Sequence, residues 1–245
     1  MTITIATWNC FQGTDRKVPA LLERFEPDIA VVPESSATPA VAEPSLLGTP
    51  VRHHWTGDYE PKGLGMFLPG ARESTLATVD PLDGKHSLAV EAVLQSGLQC
   101  TVLGVWTVPL KRTGHATPYM GALSNILEGH REGLSTQRMI VAGDFNCSAQ
   151  SDPDTFPSYL ADICDRFGLK SAYHAFTGEA VGEERQPTLW WQSKRDASFH
   201  CDFVLVPQSW DVHDVVVGSY EEWGDRTLPV KSDHAPVVVK TSPAS

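Results

Sequence analysis

The residues that could do chemistry in this chain stand at the ends of apolar runs. Met139-Ile140-Val141-Ala142 leads into Gly143, and a carboxylate and a carboxamide follow two positions apart, at Asp144 and Asn146. An apolar run closed by glycine reads as a buried strand meeting a tight turn. Strand residues two apart face the same way, so an extended chain would point both side chains into one cleft. A charge and an amide in such a place are costly to desolvate unless something pairs with them. Either they cap the next segment, the ordinary use of Asp and Asn, or they handle a substrate. The context recurs along the chain: Asn9 ends the alternating run 2–9, and Glu34 follows the continuous apolar run 28–32. Asp202 opens the run 201–206, and Asp233-His234 stands just before the run 235–240. Any one of these is ordinary, but recurrence in one setting is not.

Positioning such residues requires strands and helices in a definite order. The run 2–9 predicts a strand. Asp15 is placed to cap a helix over 16–25, where Val18, Leu21, Leu22 and Phe25 recur at helical spacing. The uninterrupted 28–32 run predicts a strand buried on both faces. Strand, helix and strand thus deliver Asn9 and Glu34 to strand C-terminal ends, where open α/β sheets place ligand sites. A short helix broken by Pro44 is the weak signal over 37–48. A glycine-bearing strand over 63–68 and β-rich runs at 74–79, 87–94 and 100–108 predict an antiparallel meander. Helices are predicted over 117–130 and 155–167, and strands over 200–206, 212–218 and 235–240. The segment 171–198 reads mainly as a long loop, and the His53-His54 pair as a loop or exposed feature. Without a fixed-period repeat or a Pro/Gly/Ser linker, residues 1–245 read as one domain.

Composition bounds the rest. The chain has 245 residues, 41% of them hydrophobic, and a mean hydropathy of −0.18, which fits a globular protein with a substantial core. No window approaches the ~20 apolar residues of a membrane span, and the alternating start does not resemble a signal peptide. A cytoplasmic monomer is the default expectation. Five widely spaced cysteines, with no CxxC, point to free buried thiols rather than a disulfide framework or zinc knuckle. Thirty acidic residues against 19 basic give a net charge of −11. That argues against broad non-specific adhesion to nucleic acid, yet leaves room for a nuclease whose site holds divalent cations.

Taken in order, TWNC at 7–10, PES at 33–35, GDFN at 143–146, CDFVLV at 201–206 and SDHAPV at 232–237 resemble the endonuclease/exonuclease/phosphatase superfamily. GDFN and SDHAPV are the specific signals, and the motifs span nearly the whole chain. The resemblance implies an α/β (α+β) fold: a four-layer sandwich of two packed, mainly antiparallel sheets flanked by helices, with the site where the sheet ends meet. It also implies metal-dependent phosphoester hydrolysis, most naturally by an endonuclease or exonuclease acting on DNA or RNA. By the same resemblance Glu34 is the main Mg²⁺ (or Mn²⁺) ligand, with Asn9 beside the metal. Asp144 orients or deprotonates the attacking water, and Asn146 holds a phosphate oxygen. Asp233 pairs with His234 or approaches the metal, His234 stabilises developing charge, and Asp202 and Ser232 support them. Physical chemistry agrees. Attack on a phosphodiester anion needs its charge offset and a positioned nucleophile, and a hard cation on one or two carboxylates suits Glu34 and Asp233. Asp233 and His234, being neighbours, can share a site only if residues 232–235 turn.

One position departs from the family pattern. Trp106 stands where an "NTHL"-like motif would place a histidine, so the usual leaving-group acid is missing. Tyr119 is the candidate to act near that place, with a buried structural role as its alternative; His115 ranks below it. Trp190 and Trp191 read either as a stacking platform for a base or as core packing at a loop root, and His200 as a residue lining the site. Thiolate ligation by the cysteines beside Asn9, Asn146 and Asp202 is rejected, because strand neighbours point apart and a carboxylate-rich site selects hard cations. The rival readings are a phosphatase of the same fold acting on a small or lipid phosphoester, and a binding module that has lost its chemistry.

Overall fold

The structure is a computed structural model and describes residues 1–40, 51–77, 87–108 and 118–244. Two mixed six-stranded sheets pack face to face, flanked by helices. In the first, β1 (Ile3–Thr7), β2 (Ile29–Ser35), β3 (Arg52–Tyr59), β4 (Lys62–Leu68), β13 (Trp210–Val217) and β14 (Val237–Pro243) run in the order β13-β14-β1-β2-β4-β3. In the second, β5 (Ala71–Leu76), β6 (Ser87–Leu94), β7 (Gln99–Trp106), β8 (Met139–Asp144), β9 (Leu169–Ser171) and β12 (Asp202–Pro207) run β5-β6-β7-β8-β12-β9. A two-residue hairpin, β10 (Leu189–Trp190) with β11 (Ser198–Phe199), stands apart. Only β1–β2 and β7–β8 pair parallel among the named strands.

The central strands are apolar on both faces because each face has a layer to cover it. Ile3, Ile5, Ile29 and Val31 turn inward onto Val90, Val102, Ile140 and Val204 of the second sheet. The intervening Ala6, Trp8, Ala30 and Val32 turn outward onto Val18, Leu21 and Leu22 of helix α1 (Thr14–Phe25). On the opposite outer face, Leu103, Val105 and Val141 pack under helices α2 (Pro118–Gly129) and α4 (Phe156–Phe167). Alternation along one strand therefore feeds two cores at once.

Several sequence expectations change. Residues 171–198 are loop over 178–188 and 194–197, the larger part of the stretch as expected, but they also hold the end of β9, α5 (Ala172–Thr177) and most of the β10–β11 hairpin. Elements this short carry too few residues for a periodic pattern to register. Asp15 does not cap α1; the cap position is Gly13, and the Asp15 carboxylate instead accepts from the Ala40 N–H. His53 and His54 lie on strand β3, where His53 packs on the Phe67 ring and His54 reaches Ser74 of the second sheet. Most of the expected helix over 37–48, His115 and Thr117 lie outside the described residues.

Register brings the polar strand ends together. β1 and β2 run parallel, so their C-terminal ends, with Asn9 and Glu34 beyond or at them, lie side by side. Asp144 at the end of β8 is opposite Trp106 of β7 and Asp202 of β12. β14 begins with Val237 opposite Thr7, so the segment leading into it arrives at the same edge.

Candidate active site

The cleft lies where these strand ends meet. Asn9, Phe11, Glu34, Trp106, Thr107, Val108, Tyr119, Asn146, Leu189, Trp191, Asp233 and His234 line it, enclosing about 210 Å³.

Backbone irregularity builds much of it. Gly143 has a φ of 150°, and a Cβ there would run into the Val105 carbonyl of the neighbouring strand, so glycine alone fits before Asp144. The chain then turns: Asn146 has a φ of 49°. Asp144 and Asn146 therefore meet through a turn, not through strand alternation. The Asn146 N–H donates to Asp144 Oδ1 at 2.8 Å, and its Nδ2 donates to Asp144 Oδ2 at 2.9 Å and to the Thr107 carbonyl at 3.1 Å. Glu34 also adopts left-handed backbone, with a φ of 59°, where the β2–β4 register slips between Pro33 and Ser35. For a residue with a Cβ that conformation costs about 1–2 kcal/mol, a cost that clusters at functional sites.

Asp144 is fully buried and is reached by a donor from each sheet. Asn9 Nδ2 donates to its Oδ2 at 2.9 Å and approaches Glu34 Oε1 at 3.4 Å, linking the two carboxylates through one amide. Burial pushes the Asp144 carboxyl up to about 7, against the opposing pull of His234. His234 holds Asp202 Oδ2 at 2.8 Å through Nδ1, and its Nε2 lies 3.9 Å from Asp144 Oδ2. Burial disfavours its charge, but Asp202 and Asp144 outweigh burial and carry it up to about 10. The imidazole is thus a cation between two buried carboxylates.

The expected pairing of His234 with Asp233 is corrected: Asp202 takes that place. Residues 232–235 do turn, tied by the Ser232 hydroxyl to the Asn9 carbonyl at 2.7 Å and by the Trp8 indole N–H to the His234 carbonyl at 2.8 Å. That turn sends Asp233 into the cleft and His234 back onto Asp202. Thr188 fixes Asp202 from behind, its hydroxyl accepting the backbone N–H groups of Cys201 and Asp202 at 3.0 Å each.

Burial decides two further expectations. Of the two readings of the paired tryptophans, core packing holds for Trp190, edge-on to Tyr220 and so no stacking platform, while its neighbour Trp191 is 56% exposed at the cleft. The chain leaves β10 for a short helical turn at Trp191, which puts one indole in and the other out. His200 is buried against Tyr173 and Phe203, with Nδ1 at 2.8 Å from the Gln186 carbonyl, outside the cleft lining. Tyr119 does line the cleft, where burial and the Asp144 charge raise its phenol. Sequence reading missed Phe11, 58% exposed at the rim, Thr107, and Lys62, whose ammonium lies 3.0 Å from Glu34 Oε2. Nothing in their local sequence marks them, because strand pairing and turns bring them here.

Two donor sets could hold a metal. The Glu34 side fits a hard cation: Glu34 Oε2 is buried with no partner but the Lys62 ammonium, and Asn9 and Asp233 add oxygen donors at the same cleft. The other set is Asp144, Cys201, Asp202 and His234, whose ligand atoms lie within 4.8 Å of one another. Here the expectation that Cys201 points away from Asp202 is corrected. Cys201 precedes β12 rather than alternating within it, and its Sγ lies 3.7 Å from Asp202 Oδ2. This set still fits poorly, since burial holds the Cys201 thiol well above its ordinary value and ligation needs thiolate. Its imidazole is already held by Asp202 Oδ2 and faces Asp144 Oδ2, although Asp202 Oδ1 is left without a hydrogen-bond partner.

Two packed mixed sheets with carboxylates, amides and an imidazolium at their joined ends define a hydrolase acting on phosphoric esters. The chain belongs to the Endonuclease/Exonuclease/phosphatase family, whose model matches residues 6–234. Solved structures share the fold at low identity. A 3′ phosphatase, NExo, from Neisseria, bound to product DNA hairpin, is 19% identical with a TM-score of 0.69, covering 97% of this chain and 98% of its own. D. rerio TDP2, complexed with single strand DNA product, is 14% identical at a TM-score of 0.66 over 98% and 99%. The human Nocturnin catalytic domain, with bound sulfate anion, is 18% identical at 0.62 over 99% and 94%. No curated protein sequence matches the chain.

Proposed function

We propose that the chain is a single catalytic domain hydrolysing phosphodiester bonds in nucleic acid, at an end or within the strand, with Mg²⁺ or Mn²⁺ held by Glu34, Asn9 and Asp233. The observation that carries this reading is the meeting of Asn9, Glu34, Asp144, Asn146, Asp233 and His234 at one cleft from four separate stretches of chain. The cation supplies charge compensation for the phosphate anion. Asp144, with its carboxyl carried up to about 7, is poised to orient a water and take its proton near neutral pH. Asn146 fixes one Asp144 oxygen through its backbone N–H and presents its amide to the cleft as an uncharged donor. His234, cationic and oriented by Asp202, offers Nε2 to charge developing on the phosphate. Tyr119 stands nearby as donor toward the leaving oxygen.

Nucleic acid is favoured over other phosphoesters by the exposed rings of Phe11 and Trp191 at the rim, which suit stacking of unpaired bases. The DNA bound in the Neisseria and D. rerio structures supports it. A small phosphoester is the second reading, favoured by the tight cleft and the net charge of −11. Five free cysteines fit a reducing compartment such as the cytoplasm. Among the described residues, no helix is long and apolar enough to cross a membrane. A substrate panel with Mg²⁺ and Mn²⁺ tests the assignment: abasic duplex DNA, plain duplex, single-stranded RNA, an inositol phosphate and an aryl phosphodiester. Oligonucleotide turnover is expected to exceed that of the inositol phosphate. Turnover of the latter alone would overturn the nuclease assignment.

A further inference from the structure

We propose that Lys62 is a further catalytic residue of this cleft, whose ammonium contacts a non-bridging oxygen of the substrate phosphate and supplies the fixed positive charge that Trp106 does not. The inference rests on the phosphoester reading above. Three independent observations lead to it.

Strand register comes first. β4 pairs antiparallel with β2, Gly63 opposite Ser35, so the start of β4 is delivered to the sheet end that carries Glu34. The Lys62 ammonium lies there, 3.0 Å from Glu34 Oε2. No well-aligned hydrogen bond joins them, so the contact is an ion pair, and an ammonium with three N–H donors can serve another oxygen beside it.

The second observation is the ring. The same ammonium sits 5.4 Å from the centroid of Trp106, and Trp106 lines the cleft, opposite Asp144 in the β7–β8 register. An indole carries no charge and its N–H is a donor only. Its face, however, attracts a cation through the ring quadrupole. Trp106 can therefore hold in place a charge that it cannot itself provide, and β4 brings that charge from the adjoining sheet.

Charge inventory is the third. Among the described residues that line the cleft there is no Lys or Arg, whereas Glu34 and Asp233 are both acidic. His234 already lies between Asp202 and Asp144. A phosphodiester anion entering such a cleft gains from a further cation at its wall, and Lys62, with a side chain 34% exposed, is reachable from solvent. As an ordinary surface salt bridge it would contribute little to stability and would leave turnover unaffected.

The test compares the wild-type chain with Lys62→Met and Lys62→Arg on the 4-nitrophenyl and phenyl esters of methyl phosphate, at saturating Mg²⁺. Mg²⁺ affinity is read separately from the thermal shift on titration. Removing one charged donor from a phosphate in a cleft is expected to lower kcat/KM by ~10²–10³-fold, equally for both leaving groups. Lys62→Arg should recover all but about tenfold, and both variants should keep the wild-type melting temperature within a few degrees and bind Mg²⁺ at least as tightly. Wild-type turnover by Lys62→Met at saturating Mg²⁺, with only the metal affinity changed, would reduce Lys62 to a counter-ion of Glu34 and overturn the inference. A loss confined to the phenyl ester would also overturn it, since that pattern belongs to a contact with the leaving oxygen. Absence of wild-type turnover on both diesters and on every phosphoester of the panel above would remove the phosphoester reading itself, and the inference with it. Where only an oligonucleotide turns over, the Lys62→Met comparison is made on it, and an unchanged kcat/KM overturns the inference.

Discussion

The two walls of the cleft are built on opposite principles. On the Asp144 wall, Asp144, Asp202 and His234 are buried, an imidazolium and two amides hold the carboxylates, and a threonine hydroxyl accepts the backbone N–H of Asp202. On the Glu34 wall, Glu34 Oε2 meets only the Lys62 ammonium, a cation that is a third exposed. One wall is fixed before anything binds, as electrostatic preorganisation requires. The other holds its carboxylate with an exchangeable cation, as a site for a hydrated cation requires. The same residue types thus contribute stability on one side and reserve capacity on the other.

That contrast can be broken from either side. His234→Ala should be the most damaging change. It leaves Asp202 and Asp144 as buried carboxylates without their cation, so urea unfolding should show a loss of ~3–5 kcal/mol, with turnover down at least ~10³-fold. Glu34→Gln should abolish comparable activity while changing metal-free stability by less than ~1 kcal/mol. The ~2.7 kcal/mol gained by the wild type at a hundredfold excess of Mg²⁺ over its Kd should vanish in that variant, as followed by thermal melts. Equal destabilisation by the two substitutions would erase the distinction between the walls.

The paired tryptophans sharpen it on a smaller scale. Trp190→Ala should cost ~3–5 kcal/mol of stability with little effect on KM. Trp191→Ala should leave stability nearly unchanged and raise the KM for a single-stranded oligonucleotide about tenfold or more, the loss of one stacked base. The smallest effect belongs to Glu184, outside the cleft. Burial works to raise its carboxyl, but hydrogen bonds from His174, the Gly182 N–H and Gln150 outweigh burial and lower it to about 2. A folded value below the unfolded one of about 4.5 means stability that is present above pH 4.5 and lost as pH falls through 2. Glu184→Gln should therefore be ~1–2 kcal/mol less stable at pH 7, with the gap closing below pH 4.5. A gap independent of pH would mean that packing, not charge, holds this segment.

Long elements were legible in the sequence for a simple reason. Strands such as β2 and β8 sit between two apolar layers and need uninterrupted hydrophobic runs, and helices such as α4 need one apolar stripe. Within 171–198, α5 and the β10–β11 hairpin were not legible, because they are too short to repeat a pattern. The lining residues Asn9, Glu34, Asn146, Asp233 and His234 could be placed at strand ends from sequence. Which of them touch could not. His234 was expected on Asp233, its neighbour in the chain, yet the turn at 232–235 gives it to Asp202, 32 residues away.

By itself, then, the sequence determined the sheets' apolar runs, the polar residue at each strand end, the glycine that closes the 139–142 run and the indole at Trp106. These are properties of local pattern and residue chemistry. Tertiary structure alone decided that Asp202 orients His234, that Trp191 and not Trp190 faces the cleft, and that Lys62 reaches Glu34 across the Trp106 face. Each of those depends on strand register and on turns, which join residues far apart in the chain and leave no mark in the sequence between them.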